Sequence, residues 1–369
     1  MERILVIGLS NDRGGIENYI INLYEHMDRN EIQFDFLVKE EITNDFKDRV
    51  EALGGHIYVC GTFKNNVFDV WGKLTRFYKE HKYKKIYVNF SYSLALIYVL
   101  PAINNGLEVL YLHSHASDDI RRIKHTIGRF IFYSFFLNKV DCIYMGCSKE
   151  ACQWQFGCDR CNDNELHIIN NAIDFERFQY SAENRRKVRL KYRIEDQFVI
   201  GHVGRFSYEK NHAFMIELIE RLNKLENKYK LLLIGDGIEK ERIEKLVLQS
   251  GVKDDVIFVG NVTDTAPYYS AMDCFILPSK YEGFPLVSVE AQVNGLKCLF
   301  SDIVTKKVDL NEESRFLSID NIEKWVIAIN DLKINYPYRK ETKACKYYEY
   351  DLKNEVNIIT LMLKSNKYK

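Results

Sequence analysis

Two carboxylates frame a strand, turn and helix in the last third of the chain. Glu282 and Glu290 are separated by seven residues and follow the apolar run 274–277, which reads as a buried parallel strand. One glutamate precedes the turn and the other lies about one turn into the helix. We therefore expect both carboxylates at the carboxyl end of this strand, where they can accept hydrogen bonds from hydroxyl groups.

The turn between the glutamates predicts an anion site. A Gly-Phe-Pro sequence opens a helix near Leu286, and Pro285 suits the first helical position, where a missing N–H costs nothing. The amides of Leu286 and Val287 would then be exposed at the positive end of the helix dipole, an arrangement that suits phosphate. Acidic groups beside such a site suit a ligand with central phosphates and hydroxyl-bearing sugars at both ends. The alternative is an ordinary turn with two solvated glutamates.

Two cations lie in another predicted strand-to-helix loop. The stretch 198–206 begins a strand, a helix is expected from about Ala213 to Leu225, and Arg205 and Lys210 lie in the loop between them. Arginine contacts a diphosphate through a planar fork and lysine as a point charge, so the pair predicts a diphosphate site. Two surface cations without a ligand are the alternative.

The first predicted strand ends in a polar loop with Gly14 and Gly15, and a helix begins near Ile16. The glycines permit close approach of a phosphate or sugar, although a plain tight turn explains them equally well. The three spaced glycines of the dinucleotide fingerprint are absent from this loop.

Two histidines, His113 and His115, follow the strand 107–112. Parallel sheets place ligands at the carboxyl ends of their strands, so both are candidate site residues. Spacing does not decide between them, and His113 is slightly favoured because it directly ends the apolar run.

Strands and helices alternate along the chain, which predicts an α/β fold with two parallel, doubly wound sheets. The predicted domains are 1–172 and 198–345, joined by a polar linker over 173–197. A largely apolar helix is expected over 91–100. A C-terminal segment, 346–369, contains an amphipathic helix that we expect to pack back on the first domain.

The amino-acid composition limits the partners and the cellular compartment that we expect for this protein. The 369 residues include 52 basic and 52 acidic side chains, and this balance argues against nucleic acid as a partner. The chain shows no signal peptide and no apolar run that would span a membrane, and the nine cysteines are expected to be reduced thiols, so we expect a cytoplasmic protein. A zinc site around Cys158 and Cys161 is less favoured than a polar loop, because no second close cysteine pair is present.

The stretch 121–137 is basic first and aromatic afterwards. It predicts either a helix buried in the core or a peripheral membrane contact on the cytoplasmic face. The apolar character of its second half favours burial.

Three motifs together resemble the retaining GT-B glycosyltransferases, especially family four. They are Glu282-Gly283-Phe284-Pro285 with Glu290-Ala291, Gly204-Arg205-Phe206 with Glu209-Lys210-Asn211, and Asn171-Ala172-Ile173-Asp174. The resemblance covers most of the chain and is closest to bacterial capsular and exopolysaccharide transferases. The segment 303–307 lacks a Glu that related enzymes carry, so the part of this loop in donor recognition stays open.

The resemblance implies two Rossmann-like domains facing across a cleft. It implies a hexosyltransferase that moves a sugar from a nucleoside diphosphate sugar, a UDP-sugar, to a hydroxyl of a glycan or lipid-linked saccharide, with retained anomeric configuration. No bound cofactor is implied. No metal is expected either, since no Asp-x-Asp motif stands at a strand end and side-chain cations are present.

The resemblance also assigns roles to residues. Arg205 and Lys210 would stabilise the departing diphosphate. The Leu286 and Val287 amides and the Gly14–Gly15 loop would assist them.

The remaining roles concern the two ends of the donor. Glu290 would bind the ribose hydroxyls, and the backbone near Gly260 and Val262 would contact the base. Glu282 would hold the donor sugar and its positive, oxocarbenium-like centre, and His113 or His115 would position the sugar and phosphate.

Two other function classes remain. A nucleotide-sugar epimerase of the same fold would convert a donor without an acceptor, and a non-catalytic subunit would bind a nucleotide sugar without turnover. Release of nucleoside diphosphate only when an acceptor is present would identify the transferase.

Overall fold

The computed structural model describes residues 1–11, 15–63, 67–90, 93–115, 139–157, 166–226, 228–335 and 348–364. The chain divides into two compact units, a first unit of 1–172 with 352–369 and a second unit of 173–351. Gly14, the stretch 121–137, Cys158 and Cys161 lie outside the described residues.

The described part of the first unit contains a sheet of seven parallel strands. They are β1 (Glu2–Ile7), β2 (Ile32–Val38), β3 (Ile57–Val59), β4 (Lys85–Phe90), β5 (Val109–Ser114), β6 (Asp141–Gly146) and β7 (Leu166–Ile168). Their spatial order is β3-β2-β1-β4-β5-β6-β7, so the direction of winding reverses between β1 and β4. In such sheets the ligand crevice lies beyond the carboxyl ends of the strands at the reversal.

Helices cover both faces of this sheet. They are α1 (Gly15–His26), α2 (Asn44–Ala52), α3 (Val67–His81), α4 (Leu100–Ile103), α5 (Lys149–Phe156) and the C-terminal α13 (Leu352–Lys364). Alternate residues of β1 face opposite sides, with Ile4 and Val6 in one core cluster and Leu5 and Ile7 in the other. The first cluster takes side chains from α1, α2 and α13, and the second from α3, α4 and α5.

The C-terminal helix α13 is bonded to the first unit through its last turn. The buried Lys85 Nζ donates to the carbonyl oxygen of Leu363 at 2.6 Å and pairs with Glu2 at 3.0 Å. The Tyr111 hydroxyl donates to the carbonyl oxygen of Met362 at 3.2 Å. These donors satisfy carbonyls that a helix terminus leaves without intrahelical partners.

The helix predicted over 91–100 is wrong in detail. The described residues form a 3-10 helix, Ser93–Tyr98, followed by the short α4, which has Pro101 near its start. Proline has no N–H to continue a preceding helix and its ring clashes with the carbonyl four residues earlier, so a single α-helix cannot run through this point.

The second unit contains six parallel strands among its described residues. They are β8 (Phe198–Val203), β9 (Tyr229–Ile234), β10 (Val256–Gly260), β11 (Cys274–Leu277), β12 (Lys297–Ser301) and β13 (Arg315–Leu317). Their order is β10-β9-β8-β11-β12-β13, which is the doubly wound Rossmann order with its reversal between β8 and β11. The prediction of two Rossmann-like sheets is therefore confirmed.

Its helices again lie on both faces. They are α6 (Phe175–Phe178), α7 (Ala182–Tyr192), α8 (His212–Leu225), α9 (Lys240–Gln249), α10 (Ala266–Ala271), α11 (Leu286–Val293) and α12 (Ile322–Asn335). One core cluster includes Phe275 and Val289, and the other includes Ile276 and Trp325. No helix among the described residues of either unit is long and apolar enough to cross a membrane.

Residues 173–197, expected as a linker, are folded within the second unit. Phe178 and Ile194 of this segment belong to the core of the second unit. The buried Arg189 of α7 adds polar contacts, since its Nη2 pairs with Asp273 at 2.5 Å and its Nε donates to the carbonyl oxygen of Ala271 at 2.9 Å. Asp273 also pairs with Arg185 at 2.6 Å and accepts from the Val199 amide at 2.7 Å. Arg189 thus ties this segment to the start of β8 and to the chain before β11.

Arg189→Ala should destabilise the second unit by about 3 kcal/mol, because it removes a buried cation and leaves several carbonyls without a donor. Lys187→Ala on the same helix removes only an exposed pair with Glu183 and should change stability little. Urea unfolding followed by Trp325 fluorescence, in a background with Trp71 and Trp154 changed to Phe, measures both variants. Equal unfolding midpoints for the two would contradict this assignment.

Candidate functional site

Two loops of the second unit lie at the reversal of its sheet. One joins β8 to α8 and carries Arg205 and Lys210, and the other joins β11 to α11 and carries Glu282. Because β8 and β11 are neighbours in the sheet, residues predicted from separate motifs emerge side by side at its carboxyl edge.

Main-chain and amide hydrogen bonds join these loops directly. The Lys280 amide donates to the carbonyl oxygen of Glu209 at 2.8 Å, and Asn211 Nδ2 donates to the carbonyl oxygen of Pro278 at 3.1 Å. Asn211 has φ 58°, a left-handed conformation that asparagine tolerates better than most residues. The two loops therefore form one rigid surface.

Lys210 and Glu282 form an ion pair between the loops. Lys210 Nζ lies 2.5 Å from Glu282 Oε1, and the same oxygen accepts from Ser279 Oγ at 2.7 Å. The side chains of Lys210 and Glu282 are only 18% and 11% exposed, so solvent screens the pair weakly. Both Lys210 and Glu282 were predicted as site residues from the sequence. The sequence did not indicate that Lys210 and Glu282 would contact each other or that Ser279 would hydrogen-bond to the carboxylate.

Arg205 is exposed on the same loop as Lys210, on a backbone that a third loop supports. The Phe206 amide donates to the carbonyl oxygen of Asp236 at 2.9 Å, and the Glu239 amide donates to that of Phe206 at 3.0 Å. A Cβ on Gly235 would lie 2.1 Å from the Gly204 carbonyl oxygen, so only glycine permits this approach. The Gly235-x-Gly237 turn therefore supports the Arg205 loop, a role that its sequence pattern alone did not specify.

Glu290 lies within α11 and is half-buried. Its Oε2 accepts a hydrogen bond of 2.7 Å from the hydroxyl of Tyr269, a fully buried residue of α10. Burial raises the pKa of Glu290 to about 7, against the lowering effect of the Tyr269 hydrogen bond. This carboxyl therefore changes its charge near neutral pH, which the sequence did not reveal.

The other residues of the second unit that were predicted to contact a nucleotide sugar lie at the start of α11 and at the end of β10. Leu286 and Val287 are the first two residues of α11, and their amides belong to the turn that makes no intrahelical bonds. Pro285 is the N-cap residue and not the first helical residue as predicted, since its ψ of 107° is extended. Gly260 ends β10 with φ 83°, and Val262 follows it.

In the first unit, His113 and His115 occupy different environments. His113 lies on β5, has no exposed surface, and its Nδ1 is 2.7 Å from the Tyr87 hydroxyl. Burial, and next the neighbouring His115, hold the pKa of His113 well below its usual value, so its imidazole is neutral.

His115 follows β5 and is half-buried. Its Nε2 lies 2.9 Å from Asn89 Oδ1, and its Nδ1 lies 3.3 Å from Asn171 Oδ1. Burial lowers the pKa of His115 to about 4, although the Asn171 contact opposes this. Each ring nitrogen of His115 faces an amide oxygen, and a neutral imidazole donates to only one of the two. Of the two histidines, His115 has the surface that a ligand can reach.

The glycine-rich loop of the first unit is described only in part. Gly15 is the first residue of α1, and Glu17 on the same helix accepts from Ser10 Oγ at 2.5 Å. Gly8, at the end of β1, has φ 134°, and a Cβ there would lie 2.4 Å from the Asn89 carbonyl oxygen. The loop after β1 is thus packed directly against the end of β4, which carries the Asn89 that holds His115.

Within the described ranges of both units, no group of three or more His, Cys, Asp or Glu side chains is placed to hold a metal ion. The chemistry that the described residues offer is that of cations and amides for phosphate, carboxylates for hydroxyls, and neutral imidazoles.

Comparison with known proteins identifies the class. The profile of the family described as "Glycosyl transferases group 1" matches residues 184–350. The chain is 30% identical over 313 residues to EpsF of Bacillus subtilis (strain 168), named as a glycosyltransferase, and the match covers 84% of this chain and 81% of EpsF. The protein therefore belongs to the group 1 glycosyltransferase family and is an enzyme of that class.

Two further similarities concern the fold and relatives with named substrates. An Anabaena protein, Alr3699/HepE, solved in complex with UDP and glucose, matches with a TM-score of 0.75 at 19% identity, covering 99% of this chain and 100% of that one. The Escherichia coli UDP-Gal:alpha-D-GlcNAc-diphosphoundecaprenol alpha-1,3-galactosyltransferase is 26% identical over 263 residues, which is 62% of this chain and 67% of that enzyme. The structural match supports the GT-B fold class.

Proposed function

We propose that this glycosyltransferase moves a hexose from a UDP-sugar to a hydroxyl of a lipid-linked saccharide or glycan, with retention of anomeric configuration, in the synthesis of a capsule or exopolysaccharide. The observation that carries the proposal is the joined pair of loops at the β8–β11 reversal, where Lys210 pairs with Glu282 and the exposed Arg205 lies on the same loop as Lys210.

The charged residues of this surface match the charges that develop when the bond between the donor sugar and the diphosphate breaks. Negative charge grows on a diphosphate as it leaves, and preorganised cations and amides stabilise it without reorganising. Arg205, Lys210 and the Leu286 and Val287 amides are assigned that role. Glu282 is assigned the donor sugar, whose reacting carbon becomes positive.

The nucleoside end of the donor is assigned to residues farther along the same edge. A carboxylate accepts hydrogen bonds from both hydroxyls of a ribose, and Glu290 is the candidate for that contact. The main chain at Gly260 and Val262 is the candidate for the base. UDP is preferred because HepE was solved with UDP and the galactosyltransferase is named for a UDP-sugar.

The acceptor assignment is supported by one relative. The galactosyltransferase is named for a diphosphoundecaprenol-linked sugar, a lipid-linked acceptor. His115 of the first unit is assigned to the reacting sugar, because it is the more accessible histidine and Asn89 and Asn171 hold its neutral imidazole. Peripheral membrane contact through 121–137 stays a prediction.

The proposal predicts that UDP-sugars will be turned over only when an acceptor is present. The protein is incubated with a panel of UDP-, GDP- and ADP-sugars, with and without a lipid-linked acetamido sugar, and released nucleoside diphosphate is measured. Conversion of the donor to an isomer without acceptor would instead indicate an epimerase. Binding without conversion in either arm would indicate a non-catalytic subunit.

Arg205→Ala and Lys210→Ala should each lower kcat, by roughly two to three powers of ten for a charged donor used in the transition state. Lys210→Ala should cost more, since it also leaves Glu282 without its cation. Lys224→Ala, which removes an exposed pair with Glu220 on α8, is the control and should keep wild-type constants. Unchanged kcat in Lys210→Ala, with normal thermal unfolding, would exclude the assigned role.

Donor affinity should depend on the ionisation of Glu290. The carboxylate form accepts ribose hydroxyl bonds, and the pKa of Glu290 is raised to about 7, so affinity should be retained above pH 7 and lost as the pH falls below it. The donor KM should rise several-fold, up to about tenfold, between pH 8 and pH 6.

Glu290→Gln provides the matched control, because its amide cannot titrate. This variant should show a higher donor KM than wild type at pH 8, a similar kcat, and a smaller increase in KM toward pH 6. Comparison of the two proteins removes the titration of the donor itself. Identical pH profiles of KM for wild type and Glu290→Gln would refute the ribose assignment.

A further inference from the structure

A cavity of about 360 Å³ lies in the first unit, at the amino end of its sheet. Its lining comes from the start of β1, from β2, from the residues around the start of β3, and from the segment between α3 and β4. The strands β1 and β4 span six residues each, so this edge is about 20 Å from the carboxyl edge that carries His115. The cavity is therefore separate from the candidate transfer site, and its volume suits a small ligand.

One wall of the cavity holds a histidine that a buried carboxylate orients. Asp35 of β2 is 1% exposed, and its Oδ1 accepts from the His56 amide at 2.9 Å and pairs with Arg3 at 2.8 Å. The Tyr83 hydroxyl donates to Oδ2 at 2.8 Å. His56 Nδ1 lies 2.9 Å from Oδ1, and a carboxylate oxygen only accepts, so Nδ1 is the donor in this contact. Nε2, on the other side of a ring that is 59% exposed, is left for a partner other than Asp35.

The acids that line the cavity are neutralised within the first unit. Asp35 pairs with Arg3, and Glu2 pairs with the buried Lys85 at 3.0 Å. An anion that enters the cavity therefore does not meet an uncompensated carboxylate from either acid.

Two further lysines line the cavity, on the segment between α3 and β4. They are the exposed Lys82 and Lys84. Lys84 pairs with Glu108 at 2.8 Å, but both side chains are more than half exposed, and such a pair holds a lysine weakly. The two ammonium groups give the lining an excess of positive charge.

Lys82 occupies a backbone position that is unfavourable for lysine. It directly follows the last residue of α3 with φ 50°, and its amide donates to the carbonyl oxygen of Tyr78 at 3.0 Å. Helix ends place glycine, and next asparagine, in this left-handed conformation, because a β-carbon is crowded there. A side chain that lines a cavity from a strained backbone is expected of a residue that serves binding.

Aromatic side chains complete the lining. The His81 ring packs against Tyr58, with centroids 4.7 Å apart, and lies 5.9 Å from Tyr83 at an angle of 20°. Phe77 of α3 supports the His81 ring at 4.6 Å. Aromatic rings beside cations suit a ligand that joins an anion to an organic ring, since each part then meets a complementary surface.

We propose that this cavity is a binding site for a small organic phosphate. The phosphate group is assigned to Lys82, Lys84 and His56 Nε2, and the organic part to Tyr58 and His81. A phosphate group offers three acceptor oxygens, which suits charged donors that come from separate segments of the chain. The inference is independent of the proposed function, because the cavity lies at the other edge of the sheet and holds none of the residues assigned to sugar transfer.

Isothermal titration calorimetry tests the site in the full chain carrying Arg205→Ala and Lys210→Ala, which removes the assigned diphosphate contacts of the second unit. The probes are inorganic phosphate, glucose 1-phosphate and UMP. We expect one organic phosphate to bind at one site per chain, more tightly than inorganic phosphate. A preference between the two organic probes identifies the ligand as a sugar phosphate or a nucleotide. Inorganic phosphate binding as tightly as both would contradict the role of the rings.

Lys82→Gly and His56→Gln, added singly to that protein, should each weaken binding. We expect a loss of roughly tenfold or more for Lys82→Gly, because a charged donor is removed. Glycine adopts the left-handed conformation freely, so the thermal unfolding midpoint of Lys82→Gly should be equal to or above that of the parent protein. A purely structural lysine would instead lower the midpoint and leave affinity unchanged.

Lys79→Ala is the matched control, since it removes an exposed lysine of α3 that does not line the cavity. It should keep the affinity of the parent protein. The proposal is overturned if none of the three probes binds, or if both Lys82→Gly and His56→Gln keep the parent affinity. It is overturned equally if Lys79→Ala weakens binding as much as Lys82→Gly, because the effect would then be one of net charge.

Discussion

The Lys210–Glu282 ion pair is the contact on which the geometry of the candidate site depends. Each residue lies in a loop after a different strand, and the pair joins the loops at the place where the winding of the sheet reverses. A largely buried pair of this kind adds little net stability, because desolvation offsets most of the attraction. The pair instead fixes the position of the two loops relative to each other. Removal of either partner leaves the other charge poorly compensated.

The two units stabilise their buried polar side chains in different ways. In the second unit, Lys210 and Glu282 form an ion pair at 2.5 Å. In the first unit, burial lowers the pKa values of His113 and His115, so both imidazoles are neutral. Neutral groups in a low-dielectric setting need hydrogen-bond partners, which the Tyr87 hydroxyl supplies to His113 and Asn89 supplies to His115.

Elements with strong local signals could be predicted from the sequence. The strand Cys274–Leu277 and the start of α11 at Leu286 agree with the prediction, since an apolar run and a proline define them locally. The bonds of Ser279 and Tyr269 could not be predicted. They join residues by spatial proximity, and nothing in the spacing of Tyr269 and Glu290 indicates a hydrogen bond. Likewise, the polar composition of 173–197 suggested a linker, while its few buried side chains, Phe178, Ile194 and Arg189 among them, pack within the second unit.

The arrangement around Lys210 also suggests how the site avoids an uncompensated charge at each stage. Before a donor binds, Lys210 neutralises Glu282, and Ser279 supplies a second donor to the same carboxylate oxygen. The ammonium has three hydrogens, so in the proposed donor complex it can contact phosphate without leaving Glu282. In the proposed reaction, positive charge grows toward the carboxylate and negative charge grows toward the lysine as the sugar separates from the diphosphate. The pair of the free enzyme would then be complementary to the charge separation of that transition state, and little reorganisation would be needed to reach it.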